Sequence, residues 1–188
     1  MTKRYILRNN DQYTLWVNEL FAEMNQHTEE SLNRRPTDGG WSVIQNMYHL
    51  ILSEELSLAY VRKKIGFNAV FDRVTPWSHG RSFLLWLSLR SPIKFKAPAF
   101  ISKEALPEYA SLSDTRDRWL KARADWTDFL QNMPDDLVNK AVYKHPRAGK
   151  LGWGGTLQFF KIHFKRHRSQ MRRALVPPQP NLPARGCL

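Results

Sequence analysis

Two histidines four residues apart, His163 and His167 in "HFKRH", are followed three residues later by Gln170. Positions i and i+4 of a helix lie one turn apart on the same face, so both imidazoles can reach one point. Neutral imidazole nitrogen is a metal donor, which makes a shared ion the first chemistry to consider. Two other readings compete with it. The pair could be two cations on a basic helix, or two core residues that each bond their own partner.

Advancing 100° per residue around "GGTLQFFKIHFKRHRSQMRRAL" decides between the faces. Lys161, Lys165, Arg168 and Arg172 fall in one narrow arc, while Phe159, Phe160, His163, His167, Gln170, Met171 and Ala174 lie opposite. The histidines therefore point inward with the phenylalanines, and burial keeps both uncharged. A third candidate ligand is His49, in the middle of "QNMYHLILSEEL", on a stripe with Leu52, Leu56 and Tyr60. By itself His49 reads as a satisfied core residue. Beside an inward HxxxH on another helix it brings three neutral nitrogens together, a set suited to zinc, nickel, iron or cobalt. His27 falls near the end of the first helix, His79 in a connection, and His145 in "HPRAG", where it shapes the loop with Pro146.

Four helices must position these residues. The first spans about 11–32, with Leu15, Trp16, Leu20, Phe21 and Met24 at helical spacing. The second opens at "GGWSVIQ", where Ser42 and Gln45 form a capping box, and runs to about Ile65. Apolar residues occupy most of its circumference, which predicts a central, buried helix. The third covers about 114–132, with Trp119, Ala122, Trp126, Phe129 and Leu130 on one face. The fourth starts near Thr156 and ends before "VPPQP". Between the second and third lies a long crossover with one short helix, "RSFLLWLSLRS", closed by Pro92; "IKFKAPAF" is too proline-bound for an interior strand. The expected fold is all-α, a four-helix bundle over residues 1–175 with a proline-rich tail at 176–188.

The 188-residue chain is 42% hydrophobic and 12% aromatic, enough for one packed domain. Its N-terminus lacks the apolar core of a signal peptide, and no apolar run approaches a membrane span. The single cysteine, Cys187, excludes an internal disulfide framework and a thiolate cluster, and reads as inert tail. A soluble cytoplasmic protein is expected. The formal net charge of +12 raises nucleic acid or another anion as a partner. The basic residues are scattered, however, and a solvated basic surface accounts for them.

Three pieces, "GGWSVIQNMYHLILSEE", "HPRAGKLGWGGT" and "HFKRHRSQM", carry a likeness beyond helix geometry. In this order and at these distances they resemble the DinB/YfiT-like superfamily of metal-dependent enzymes. The resemblance implies a four-helix bundle holding a divalent metal on His49, His163 and His167. Members with assigned activities are thiol S-transferases that use bacillithiol or mycothiol, and relatives such as maleylpyruvate isomerase. The chain departs from the pattern at Thr156, which is followed three residues later by Phe159 where a capping Glu is common. The basic face and the proline-rich tail are departures too.

The expected function is a metal-dependent transferase or hydrolase acting on a small electrophile, with a low-molecular-weight thiol as a conceivable second cofactor. Gln170 is either a group behind His167 or a helix-packing amide. No general base is assigned, because Glu54 and Glu55 fall elsewhere on the helix from His49 and read as surface or interhelix pairs. Two rivals remain. One is a nucleic-acid or anion-binding module built on Lys161, Lys165, Arg168 and Arg172, with Trp77, Trp86 and Trp153 as stacking groups. The other is a relative that retains the histidines without activity. The apolar "WSHGRSFLLWLSL" either pairs two copies as a homodimer or caps the bundle end.

Overall fold

The computed structural model describes residues 1–67, 70–75, 80, 106–146 and 148–176. The short helix assigned to "RSFLLWLSLRS", the "IKFKAPAF" segment, the dimerisation stretch at 77–89 apart from residue 80, with Trp77, His79 and Trp86, and the tail from residue 177 on, with Cys187, lie outside these residues. The described chain is all-α apart from one small hairpin. In order it forms α1 (Lys3–Met24), α2 (Glu29–Asn33), α3 (Val43–Gly66), α4 (Leu112–Asn132), a 3-10 turn at Asp135–Leu137, β1 (Tyr143–His145), β2 (Gly149–Leu151) and α5 (Trp153–Ala174). The four long helices share one core: α1 and α3 each pack against both α4 and α5. None of the described helices is long and apolar enough to cross a membrane.

Helix α1 begins eight residues before the position expected from periodicity. Its buried row is Ile6, Asn10, Tyr13, Val17, Leu20 and Met24, spaced three and four apart. Asn10 hides the first part of that row, because a polar residue reads as an outward one. It is tolerated inside because its Nδ2 donates to Thr127 Oγ1 at 2.9 Å and its Oδ1 accepts from Arg123. Leu15, counted with the apolar face from sequence, is 61% exposed. The helix also stops at Met24 rather than Leu32. Thr28 opens the separate α2 by accepting from the Ser31 amide at 3.3 Å.

Helix α3 starts as expected. The Gln45 amide N–H donates to Ser42 Oγ at 3.1 Å and the Ser42 N–H to Gln45 Oε1 at 3.2 Å. Its His49 row differs from the expected one. Leu56 is exposed, and the buried row that contains His49 continues through Ser53 and Ser57. Below it, Glu54 is an interhelix partner in the core: it accepts from Tyr13 and Trp119 at 2.8 Å each and pairs with Arg123 at 2.7 Å. Glu55 pairs with Arg118 of α4 at 2.7 Å on the surface side.

Helix α5 begins at Trp153, three residues ahead of the expected Thr156. "GWGG" reads as loop, yet Trp153 is fully buried and its indole N–H donates to Leu137 O at 2.9 Å, which anchors the first turn. The Thr156 hydroxyl donates back to Gly152 O at 3.0 Å instead of capping. A Cβ at Gly152 would meet Val74 Cγ2 at 2.5 Å, so any other residue there would have to displace the Val74 side chain. All four cations of the basic arc meet α1. Lys161 donates to Asn9 and Gln12 at 2.7 Å each, Lys165 lies 4.6 Å over the Trp16 ring, and Arg168 and Arg172 share Glu23.

Candidate metal centre

His49 comes from the middle of α3, and His163 and His167 from successive turns of α5, the helix that α3 packs against. Their Nε2 atoms converge. His163 Nε2 is 3.1 Å from His49 Nε2 and 3.1 Å from His167 Nε2. Nitrogens about 2.1 Å from one ion, at tetrahedral or octahedral angles, stand about 3.0–3.4 Å apart. The two 3.1 Å separations fall in this range, and all three donor atoms lie within 4.8 Å of one another, close enough to be gathered on one cation.

All three rings are buried, and burial is the main reason that each is held uncharged. It lowers His49 to about 4. His163 and His167 lie well below the ordinary histidine value, with further depression from the neighbouring imidazoles. Proton bookkeeping then exposes a deficit. A neutral His163 either carries a hydrogen on Nε2 and donates it once, or carries a lone pair there and accepts once. One hydrogen or one lone pair on His163 Nε2 must therefore serve both 3.1 Å contacts, so at most one of them is a full hydrogen bond. A cation accepting all three lone pairs would serve every Nε2 fully. In addition, His49 Nδ1 and His163 Nδ1 are buried and have no partner among the described residues.

The surroundings are aromatic. Trp41, half-buried in the loop before α3, lies 4.8 Å from the His49 ring and stacks on His167 at 6.0 Å and 13°. Phe159 stacks on His163 at 5.0 Å. His145 packs edge-on against the other side of this region, 4.5 Å from Phe159, and its Nδ1 accepts from the Ala148 N–H at 3.1 Å. It shapes the hairpin loop as expected and stands one phenyl ring from the cluster. Asn46 Oδ1 is 2.7 Å from His167 Nδ1. Gln170 is half-buried, and a side-chain hydrogen bond that it accepts from His167 acts against the effect of burial.

Thus the structure brings together the three histidines singled out in the sequence. His27 is exposed on the far side of Met24, and His79 lies outside the described residues. Asn46 and Trp41 were missed. Their signal was present: Asn46 precedes His49 by three positions on the same helix face, and Trp41 stands next to the capping Ser42.

A long-helix fold with a buried trio of imidazoles on two facing helices defines a helical protein with a site suited to a metal. The family model of the DinB superfamily matches residues 13–171, and the chain belongs to that superfamily. No curated protein and no solved structure matches the chain.

Proposed function

We propose that the protein is a metal-dependent enzyme, a transferase or hydrolase in which His49, His163 and His167 hold one divalent cation. The convergence of three buried, uncharged imidazoles, with His163 Nε2 3.1 Å from each of the other two Nε2 atoms and all three donor atoms within 4.8 Å of one another, carries this reading. The all-nitrogen set favours zinc, nickel, iron or cobalt over calcium or magnesium. Held by these three histidines, such a cation would supply Lewis acidity, by which a bound thiol or water would lose its proton more readily near neutral pH.

The chain's own residues supply the rest. The aromatic walls of Trp41 and Phe159 exclude water from the imidazole faces and strengthen local electrostatics. Trp41, the half-exposed member, is the surface against which a small electrophile packs. Membership of the DinB superfamily supports thiol transfer as one form of the reaction, with a low-molecular-weight thiol as co-substrate. Anion binding through Lys161, Lys165, Arg168 and Arg172 finds less support, since each of these cations is engaged with α1.

The test is elemental analysis of protein purified without a metal-affinity tag, joined to a screen of small thiols against electrophiles. About one equivalent of a transition metal is expected in the wild type, and none in His163→Ala, with turnover lost in parallel. Equal metal content in the two proteins rejects the site.

A further inference from the structure

We infer that Asn46 is a positioning residue that fixes the tautomer of His167 before any ion arrives, presenting the Nε2 lone pair to the cluster. The inference rests on the metal-site reading for its purpose, but its geometry stands alone.

Asn46 is buried in the first turn of α3, and its amide is spoken for at both ends. Its Nδ2 donates to Ser42 O at 2.8 Å and to Trp41 O at 3.3 Å. Its Oδ1 faces His167 Nδ1 at 2.7 Å. The reverse orientation would set Oδ1 against two carbonyl oxygens, which are acceptors only, and so lose both bonds. The backbone of the loop thereby dictates which end of the amide meets the ring. An amide oxygen cannot donate, so His167 must carry its hydrogen on Nδ1. Being neutral, the ring then has no hydrogen on Nε2, the atom 3.1 Å from His163 Nε2.

The other two histidines have no such lock. His49 Nδ1 and His163 Nδ1 are buried without a partner among the described residues. One ligand is pre-set and two are free to choose, so Asn46 decides the first nitrogen available to a cation. The same amide holds the carbonyl of Trp41, whose ring stacks on His167. A single side chain therefore ties the loop, the aromatic wall and the ligand together. Groups behind metal-bound histidines typically contribute 10–100-fold to metal affinity.

The experiment uses the full chain in three variants, Asn46→Leu, Asn46→Asp and Gln170→Leu. The histidine ¹⁵N shifts of the metal-free proteins report the tautomer of His167, and competition titration with Zn²⁺ reports affinity. Wild type and Gln170→Leu should show His167 protonated on Nδ1. Asn46→Leu, similar in size but without an acceptor, should lose that preference and bind Zn²⁺ 10–100-fold more weakly. Asn46→Asp keeps an oxygen toward the ring and should hold both tautomer and affinity within about threefold, even where its lost donors lower the melting temperature. Retention of the Nδ1–H form in Asn46→Leu, or its loss in Gln170→Leu, overturns the inference. A wild type that binds no Zn²⁺ sinks the metal site alone, because the tautomer is read without metal.

Discussion

Helix α3 carries two buried polar clusters only five residues apart, at His49 and at Glu54, and they are built on opposite plans. Around Glu54 the described side chains satisfy one another. Both carboxylate oxygens accept, from Tyr13, Trp119 and Arg123, and Arg123 goes on to Thr14 and Asn10. Around His49 two ring nitrogens have no partner among the described residues, and His163 Nε2 faces the Nε2 atoms of both His49 and His167. Polar groups in a core are tolerable when each finds a partner. The first cluster is complete as protein, whereas the second leaves two ring nitrogens unpaired and gathers three donor atoms that could hold a metal ion. The difference separates a device that holds helices together from a site.

The largest effect is expected from breaking the complete cluster. Arg123→Ala leaves the Glu54 carboxylate buried without its counter-charge, and should cost about 3–5 kcal/mol in urea unfolding at neutral pH. Replacing both partners with apolar residues, Glu54→Leu with Arg123→Met, should recover most of that loss. A double variant as unstable as the single one would mean that the hydrogen bonds from Tyr13 and Trp119, rather than the charge, dominate.

Acid should distinguish the clusters next. Burial lowers His49 to about 4 in the folded protein, against an ordinary value near 6.5 once unfolded. As pH falls below 6.5 the unfolded chain takes up the proton first, so stability is present above that value and is lost on the way down to about 4. His163 and His167 shift in the same direction. His49 alone accounts for about 3 kcal/mol in the metal-free protein. Comparing urea midpoints at pH 7 and pH 4.5 for wild type and His49→Leu isolates this contribution from general acid sensitivity. An identical pH dependence in the two proteins contradicts the burial argument.

The incomplete cluster should then show a trade between binding and stability. Free Zn²⁺ at 100 times its Kd should stabilise the wild type by about 2.7 kcal/mol. His163→Leu should abolish that gain. In the metal-free state the same variant should be more stable than wild type by about 1–2 kcal/mol, because it removes a buried nitrogen that has no partner. Thermal scans with and without chelator measure both effects. A metal-free His163→Leu that is clearly less stable than wild type would show that the imidazoles earn their place by packing.

The sequence revealed the fold class and the three histidines for the same reason: both follow from helical spacing alone. His163 and His167 share a face whatever the helix packs against, and the Ser42–Gln45 box marks the start of α3 from local chemistry. What stayed hidden depends on partners far along the chain. Asn10 looks outward, and Glu54 stays open between a surface pair and an interhelix one, until Arg123, more than 60 residues from either, is placed beside them. The start of α5 hides in "GWGG" because only the Leu137 carbonyl explains the buried Trp153. Asn46 was three residues from His49, yet its role follows from the direction of its amide, which depends on two backbone oxygens and on a ring of another helix.

The smallest effect comes from the neighbour of Glu54, and it checks that the contrast lies in burial rather than in charge. Glu55 and Arg118 meet at 2.7 Å with two hydrogen bonds, the same separation as Glu54 and Arg123, yet their side chains remain 35% and 39% exposed. Water screens such a pair, and holding two long side chains costs entropy that offsets much of the attraction. Glu55→Gln should therefore lower stability by less than about 1 kcal/mol, and added salt should shrink even that. Zn²⁺ affinity should not change, since Glu55 faces α4 and not the histidines. Urea unfolding at low and high salt is the measurement. A loss comparable with that of Arg123→Ala would mean that distance alone sets the strength of these pairs, and the division of α3 into a sealed cluster and an open one would lose its physical basis.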